Sequence, residues 1–558
     1  MSGGAERLGL LLAAAWLAVA LHGLGDADVV GDDEAREVGI VQAIVAGDAW
    51  LPRFNGELLP DKPILSHWLA ALPVATSGFS EFAVRLPSAV AAALTVAWTA
   101  RLGGELAGRP AGLAAAALLA TTPAFFVRAR VARPDALLVL LLSVALGLAW
   151  RWWRDGRRRD ARWALVALGA ATLAKGPVAP VLFALAFGGF LAWQRDLRRL
   201  RTFCDPLGLA AFLVLGLGWY AVALAGWGEE FVRQHLIGRY VFNVLGDLPE
   251  GGRYSERPLA SHVLFYVLHL PLIGLPWSPL AALGLWLAWR DGRLRDAGTR
   301  FLVCWALAPV VAFTPAQYKL RYYLLPALPA LAMLAAPAAM RLWRTAVPAE
   351  RRGMRAPLAA GLLGALVAGG GLLLAIRHDA LAPSDRGTVE ALASAVPGDM
   401  VGLALAAAVV VGAVAAAIAA RAWRAVLATA ALVASLWLLI GIPALERQTG
   451  RRDSLRSFAV AVATRVPPGS PLAFFAEPIR SVVVYSGRII PTARRRADLV
   501  PGTTLIVREA AYRRLRRAGV VGPPLLVGRG RTDNVARGRV VLARALDLPR
   551  ASAQSGVR

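Results

Sequence analysis

The chain reads as a polytopic α-helical membrane protein of about thirteen spans followed by a small soluble α/β domain. Three observations lead there. Of 558 residues, 57% are hydrophobic and the mean hydropathy is +0.54, more apolar than a water-facing surface allows. Apolar runs of about twenty residues recur, each long enough to cross the ~30 Å hydrocarbon core as a helix. The pattern then stops near residue 445, where short alternating runs replace it.

In chain order the apolar runs fall near 7–25, 82–101, 110–128, 134–150, 162–175, 177–194, 207–226, 260–289, 299–315, 321–341, 357–377, 400–420 and 424–444. The first has a basic residue ahead of its apolar core, as a signal peptide does. No small-x-small cleavage site follows His22, so it reads as an uncleaved anchor. Lys175-Gly176-Pro177 breaks the stretch 162–194 and reads as a turn between two spans. After 445, β-like runs such as PLAFFA, SVVVYS and TTLIVRE alternate with Arg-rich pieces such as AAYRRLRRAG. The division is therefore 1–445 for the membrane domain, with extracytoplasmic loops 26–81 and 227–259, and 446–558 for a small basic α/β domain. The two cysteines, Cys204 and Cys304, form neither a disulfide framework nor a zinc motif.

Charge sets the orientation. The short loops 151–162, 195–201 and 290–300 and the linker 341–355 are rich in arginine, and the positive-inside rule places them in the cytoplasm. With thirteen spans all four fall on one side, together with the N-terminus. Loop 26–81, the Lys175 turn, 227–259, the turn around Lys319 and everything after 445 fall on the other. The tail holds 22 arginines against seven acids, which suits anionic membrane lipids rather than nucleic acid on that face.

Of 62 basic residues only Lys62, Lys175 and Lys319 are lysines. In so Arg-rich a chain, lysine marks places where a compact ammonium serves better than a planar fork. All three lie in exterior loops or at their edges. Nearby stand Asp33, Glu34 and Arg36 of GDDEAR, Asp61, Asp135 of RVARPDALL, His235 and Arg239 one helical turn apart, and Lys319, Arg321, Tyr322 and Tyr323 of QYKLRYY. Each has a purely structural reading beside the functional one. Asp135 can cap a helix, Arg239 and Arg321 can snorkel to headgroups, His235 can pack in a loop, and the tyrosines can sit in an interfacial belt. Together, acids and cations on one membrane face suit a phosphate-bearing lipid substrate.

The stretch DDEAREVGIVQAIVAGDAWLPRFNGELLPDKPILSHW, followed by SEFAVRLPSA, resembles the N-terminal signature of bacterial aminoarabinose transferases and related protein mannosyltransferase-like proteins, members of the GT-C glycosyltransferases. Further on, Asp135, Ala174-Lys175-Gly176, Trp219-Tyr220, His235 with Arg239, Pro276-Trp277 and Lys319 to Pro326 fall where that family has similar elements. The resemblance covers about residues 8–345 and takes in all three lysines. Two departures bear on the acceptor: Asp61 stands where the family usually has Glu, and Arg321 adds a charge beside Lys319.

The resemblance implies an enzyme of the bacterial inner membrane that moves a sugar from a polyprenyl-phosphate carrier to an extracytoplasmic acceptor such as lipid A, another glycolipid or polysaccharide, or protein. In that reading Asp33, Lys62 and Asp135 are catalytic, with Asp135 positioning Lys62 or substrate. Glu34, Arg36, Lys175, His235, Arg239, Lys319 and Tyr323 bind substrate. Cations would stabilise the charge developing on the leaving phosphate, and a carboxylate the oxocarbenium-like sugar. No cofactor is expected; a divalent metal between Asp61 and His235 would have two protein ligands, too few to assert. The competing classes are a polyprenyl-lipid or glycolipid flippase, which would carry charges near helix midpoints, and a non-catalytic membrane protein that binds anionic glycans through its tail.

Overall fold

The computed structural model describes residues 3–59, 62–233, 235, 259–316, 319–344, 423–531 and 537–546. The expected spans 357–377 and 400–420, and the candidate residues Asp61 and Arg239, lie outside the described residues. The N-terminal elements in order are α1 (Gly3–Leu21), α2 (Asp32–Val45), a short hairpin β1 (Arg53–Phe54) and β2 (Glu57–Leu58), α3 (Leu65–Ser77), α4 (Glu81–Ala107), α5 (Arg109–Ala120), α6 (Pro123–Ala129), α7 (Asp135–Asp155) and α8 (Arg158–Lys175).

Among the described residues, five helices are long and apolar enough to cross a membrane, or seven if each of two bent pairs counts as one span. The bends correct two runs expected to be continuous. Run 110–128 turns by 67° between α5 and α6, and run 260–289 turns by 104° between the segments 264–273 and 278–290. The first break follows from Thr121-Thr122-Pro123, because a proline carries no amide hydrogen and starts a new helix at its first turn. The helices approach closely through small residues, since apolar lipid gives them little other reason to associate. A Cβ on Gly112 of α5 would overlap the Ala100 carbonyl oxygen of α4.

The basic stretches gather at one end of the bundle. Arg199 donates to the Trp153 carbonyl at 2.9 Å, Arg300 to Gln194 at 2.9 Å and Arg341 to Asp291 at 2.7 Å. At the opposite end lie α2, the hairpin, α3 and a five-stranded sheet of order β4-β3-β5-β7-β6. Its strands are β3 (Leu472–Phe475), β4 (Thr492–Ala493), β5 (Thr504–Arg508), β6 (Val521–Arg531) and β7 (Arg537–Ala545). β3 runs parallel to β4 and β5, and β7 pairs antiparallel with β5 and β6.

Alternation along the strands fixes which face meets the bundle. Ile506, Val540 and Leu542 join a core shared with Val38 and Val41 of α2. Leu505, Val507 and Val541 face the other way, onto helix Glu509–Arg517. The C-terminal domain is thus docked on α2 through its helix Arg480–Ser486, which lies between α2 and the sheet.

Candidate active site

GDDEAR opens α2. Three acids in the first turn complement the positive end of the helix dipole, and successive residues step about 100° around the axis. The three carboxylates therefore point three ways. Asp32 pairs with Arg480 of the C-terminal domain. Asp33 faces Arg133, 2.7 Å from Nη1, and Arg36 at 3.3 Å. Glu34 turns into the protein, where Arg85 grips both its oxygens at 2.8 and 3.1 Å and the Ala132 amide donates at 3.0 Å. Arg85 also donates to the Leu24 and Ala27 carbonyls, so Glu34 locks the loop to α4.

One turn after Asp33, on the same face, comes Glu37. It is buried, yet it meets Lys62, lies 3.0 Å from Arg36 Nη2, and accepts from His67 Nε2 at 2.7 Å. His67 is itself only 2% exposed. Arg133 extends the network: its Nη2 donates to the Tyr322 hydroxyl at 2.9 Å, and its Nε lies 3.2 Å from Asp135 Oδ2. Asp135 pairs in turn with Lys175, whose ammonium stands 5.7 Å from the Tyr323 ring centroid. Tyr323 stacks on Phe313 at 4.6 Å. Beside it, Lys319 donates to the carbonyls of Phe313 and Thr314 and lies 5.0 Å from the Tyr266 ring.

The electrostatics follow from this pairing. Burial alone raises the Asp33 pKa, but Arg133, Arg36 and Lys62 outweigh it and hold the carboxyl well below the usual carboxylate range. Burial likewise opposes ionisation of Glu37, and Lys62, the His67 hydrogen bond and Arg36 overcome it. Lys319 behaves differently. With burial dominant, its pKa falls from 10.5 to about 8.

The expected residues are thus largely assembled. Asp33, Arg36, Lys62, Asp135, Lys175 and Tyr323 share one chain of contacts, and Lys319 adjoins it. Two expectations need correction. Asp135 positions Lys175 and Arg133, not Lys62, because α7 and α8 are adjacent and bring those two side chains together. Glu34 is a lock on Arg85 and not a surface ligand. His235 is buried and stacks on Phe231 at 5.0 Å, with Trp219 and Tyr220 around it. Glu37, His67 and Arg133 were missed as site residues, and Arg85 stood out only as part of the SEFAVRLPSA resemblance. Asp33, Arg36 and Glu37 share an i, i+3, i+4 spacing that would have exposed Glu37 had 26–81 been read as helical. Among the described residues no group of three or more His, Cys, Asp or Glu could hold a metal ion.

A helical bundle with a soluble α/β domain docked over a charged network at one end is the GT-C arrangement of polytopic membrane proteins. The fold is similar to crystal structures of ArnT from Cupriavidus metallidurans. The form bound to undecaprenyl phosphate matches with a TM-score of 0.72 at 21% identity, covering 96% of this chain and 97% of that one; the apo form matches with 0.71. The dolichyl-phosphate-mannose-protein mannosyltransferase family matches residues 61–220. Undecaprenyl phosphate-alpha-4-amino-4-deoxy-L-arabinose arabinosyl transferase of Pseudomonas aeruginosa (strain LESB58) is 33% identical over 312 residues, 54% of each chain. The protein of that name from Erwinia tasmaniensis is 27% identical over 346 residues, 60% of each. The matched region spans little more than half the length of these curated relatives. Over these regions the chain is similar to the aminoarabinose transferases and to the protein mannosyltransferase family, and its fold is of the GT-C type.

Proposed function

We propose that the protein is a membrane glycosyltransferase that takes a sugar from a polyprenyl-phosphate carrier and passes it to an acceptor outside the cytoplasm of a bacterial cell. What supports this reading is one observation above the rest: the three lysines of the chain lie along a single chain of contacts at one end of the bundle. Relatives named for undecaprenyl-phosphate aminoarabinose transfer, and a similar fold bound to undecaprenyl phosphate, point to the same donor class. The finer reading is about thirteen spans, a cytoplasmic N-terminus and basic end, a membrane domain over 1–445 and an extracytoplasmic α/β domain over 446–558.

In the proposed reaction the anomeric C–O bond breaks and its electron pair leaves on the lipid phosphate, while the acceptor oxygen bonds the sugar carbon. Lys62, Lys175, Lys319 and Arg133 supply positive charge where the phosphate becomes more negative, a term that grows as the bond breaks. Arg36 braces Asp33, Tyr323 borders the Lys175 ammonium, and His235 with Arg239 belongs to the second exterior loop. Asp33 stabilises the oxocarbenium-like sugar and orients the acceptor. A carboxylate gripped by two guanidinium groups is a weak base, which favours an acceptor such as a lipid phosphate whose oxygen needs no deprotonation. The donor and acceptor are tested together by mass spectrometry of lipid A, other glycolipids and envelope proteins from a strain lacking the protein. Loss of one sugar from one class, restored by the wild-type gene and not by Lys62→Met, is expected. An unchanged envelope would overturn the proposal.

A further inference from the structure

Beside the shared apolar core, the C-terminal domain makes several polar contacts with the site helix and the segments next to it. Arg480 reaches Asp32. The Tyr485 hydroxyl accepts from the Val29 amide at 2.6 Å, just ahead of α2, and donates to Glu81 Oε1 at 2.8 Å. Gln42, near the far end of α2, donates to the Val484 carbonyl at 3.3 Å. The hairpin tip is held as well: the Asn55 side chain donates to the Ile490 carbonyl at 2.6 Å and accepts from its amide at 2.7 Å. Phe54, the neighbour of Asn55, turns a ring edge to α2 where Gly39 leaves room; a Cβ there would overlap its ring.

We propose that residues 480–490 are a positioning device that sets the rotation of α2 about its own axis, with the Asp32–Arg480 pair as its latch. This rests on the glycosyl-transfer reading for its catalytic consequence, but not for its mechanical one. Because Asp32, Asp33 and Glu34 leave the helix about 100° apart, fixing two of them fixes the third. Glu34 is fixed to α4 by Arg85 and Asp32 to the C-terminal domain by Arg480, so Asp33 between them is aimed at Arg133. Glu37, one turn on, is aimed by the same rotation at Lys62. A soluble domain that grips Asp32 thereby controls where the reacting carboxylate Asp33 points, and an acceptor that shifts the domain would move Asp33 with it. Arg480 and Asp32 are positioning residues, since they act on Asp33 and Glu37 through the helix that carries all three acids.

Two measurements on the full-length protein in detergent test this. Hydrogen exchange compares residues 29–45 in the wild type, Arg480→Ala, and the reversed pair Asp32→Arg with Arg480→Asp. Faster exchange in the single variant, returning to the wild-type rate in the reversed pair, is expected. Equal exchange in all three overturns the latch whether or not any sugar is transferred. The second measurement is transfer from an undecaprenyl-phosphate-linked sugar. In Arg480→Ala, kcat falls about ten- to a hundredfold with KM within about twofold, because misaimed groups lose orientation and not affinity; the reversed pair recovers most of it. An unchanged kcat alongside faster exchange would show that the rotation of α2 does not matter to the reaction. A wild type inactive with every donor would count against the proposed activity, while the exchange result would still decide the latch.

Discussion

At the residue scale, the buried Glu37 carboxylate is held in its charged form by Lys62, Arg36 and His67. Breaking a buried ion pair by removing one partner costs about 3–5 kcal/mol, because the charges left behind lose compensation in a low-dielectric site. Glu37→Gln should therefore lower stability at pH 7 by about 3 kcal/mol, read from thermal unfolding in detergent. The sign with pH is fixed by the depressed carboxyl pKa. The stabilisation is fully present above the ordinary carboxylate range and is lost as pH falls through the lowered value. Wild type and variant should then converge in strong acid, and a gap that stays constant would contradict the pairing. Lys319 predicts a titration from the basic side. Its ammonium titrates near pH 8, and a phosphate partner requires the protonated form. KM for the donor should rise as pH increases through about 8, and the rise should vanish in Lys319→Met. A KM that stays flat to pH 9 in the wild type would remove Lys319 from phosphate binding.

Elements decide which of these residues could be foreseen. The lysines stood out by scarcity and Asp135 by its place ahead of an apolar run, so both were legible. Residues 26–81 read as an exterior loop, a label that carries no helical spacing with it. Glu37 is one turn from Asp33 on α2 and was invisible for that reason alone. The contacts of Arg133 and His67 with α2 could not have been found locally, because Asp33 and Glu37 lie about 100 and 30 residues away in the chain, and the packing of α2 on α3 joins the second pair. Close packing of α5 on α4 makes Gly112 sensitive. A methyl group there meets the Ala100 carbonyl and the Gly104 backbone of α4, so Gly112→Ala should force α4 and α5 apart at a cost of about 1–3 kcal/mol. Thermal unfolding measures it; unchanged stability would mean that the two helices do not cross so closely.

For the whole molecule, the separation of charge is the organising fact. Arginine-rich loops gather at one end of the bundle, and the lysine-bearing network with the C-terminal domain gathers at the other. The bundle's general layout was legible because apolar length and loop charge are local properties. The bends at 120–123 and 273–278 have local marks in Thr122-Pro123 and Leu275-Pro276, but apolar length alone does not reveal them, because a bent pair and a straight span have the same overall composition. The proposed orientation predicts that, with Cys204 and Cys304 replaced by serine, Glu57→Cys reacts with a membrane-impermeant maleimide in intact cells and Arg157→Cys only after permeabilisation. The reverse pattern would turn the molecule over. The most direct test of the whole account is transfer by the purified protein from an undecaprenyl-phosphate-linked sugar, compared among wild type, Lys62→Met and Asp33→Asn. The account predicts turnover by the wild type and a loss of at least about a hundredfold in kcat for each variant. Undiminished transfer by both variants would contradict it.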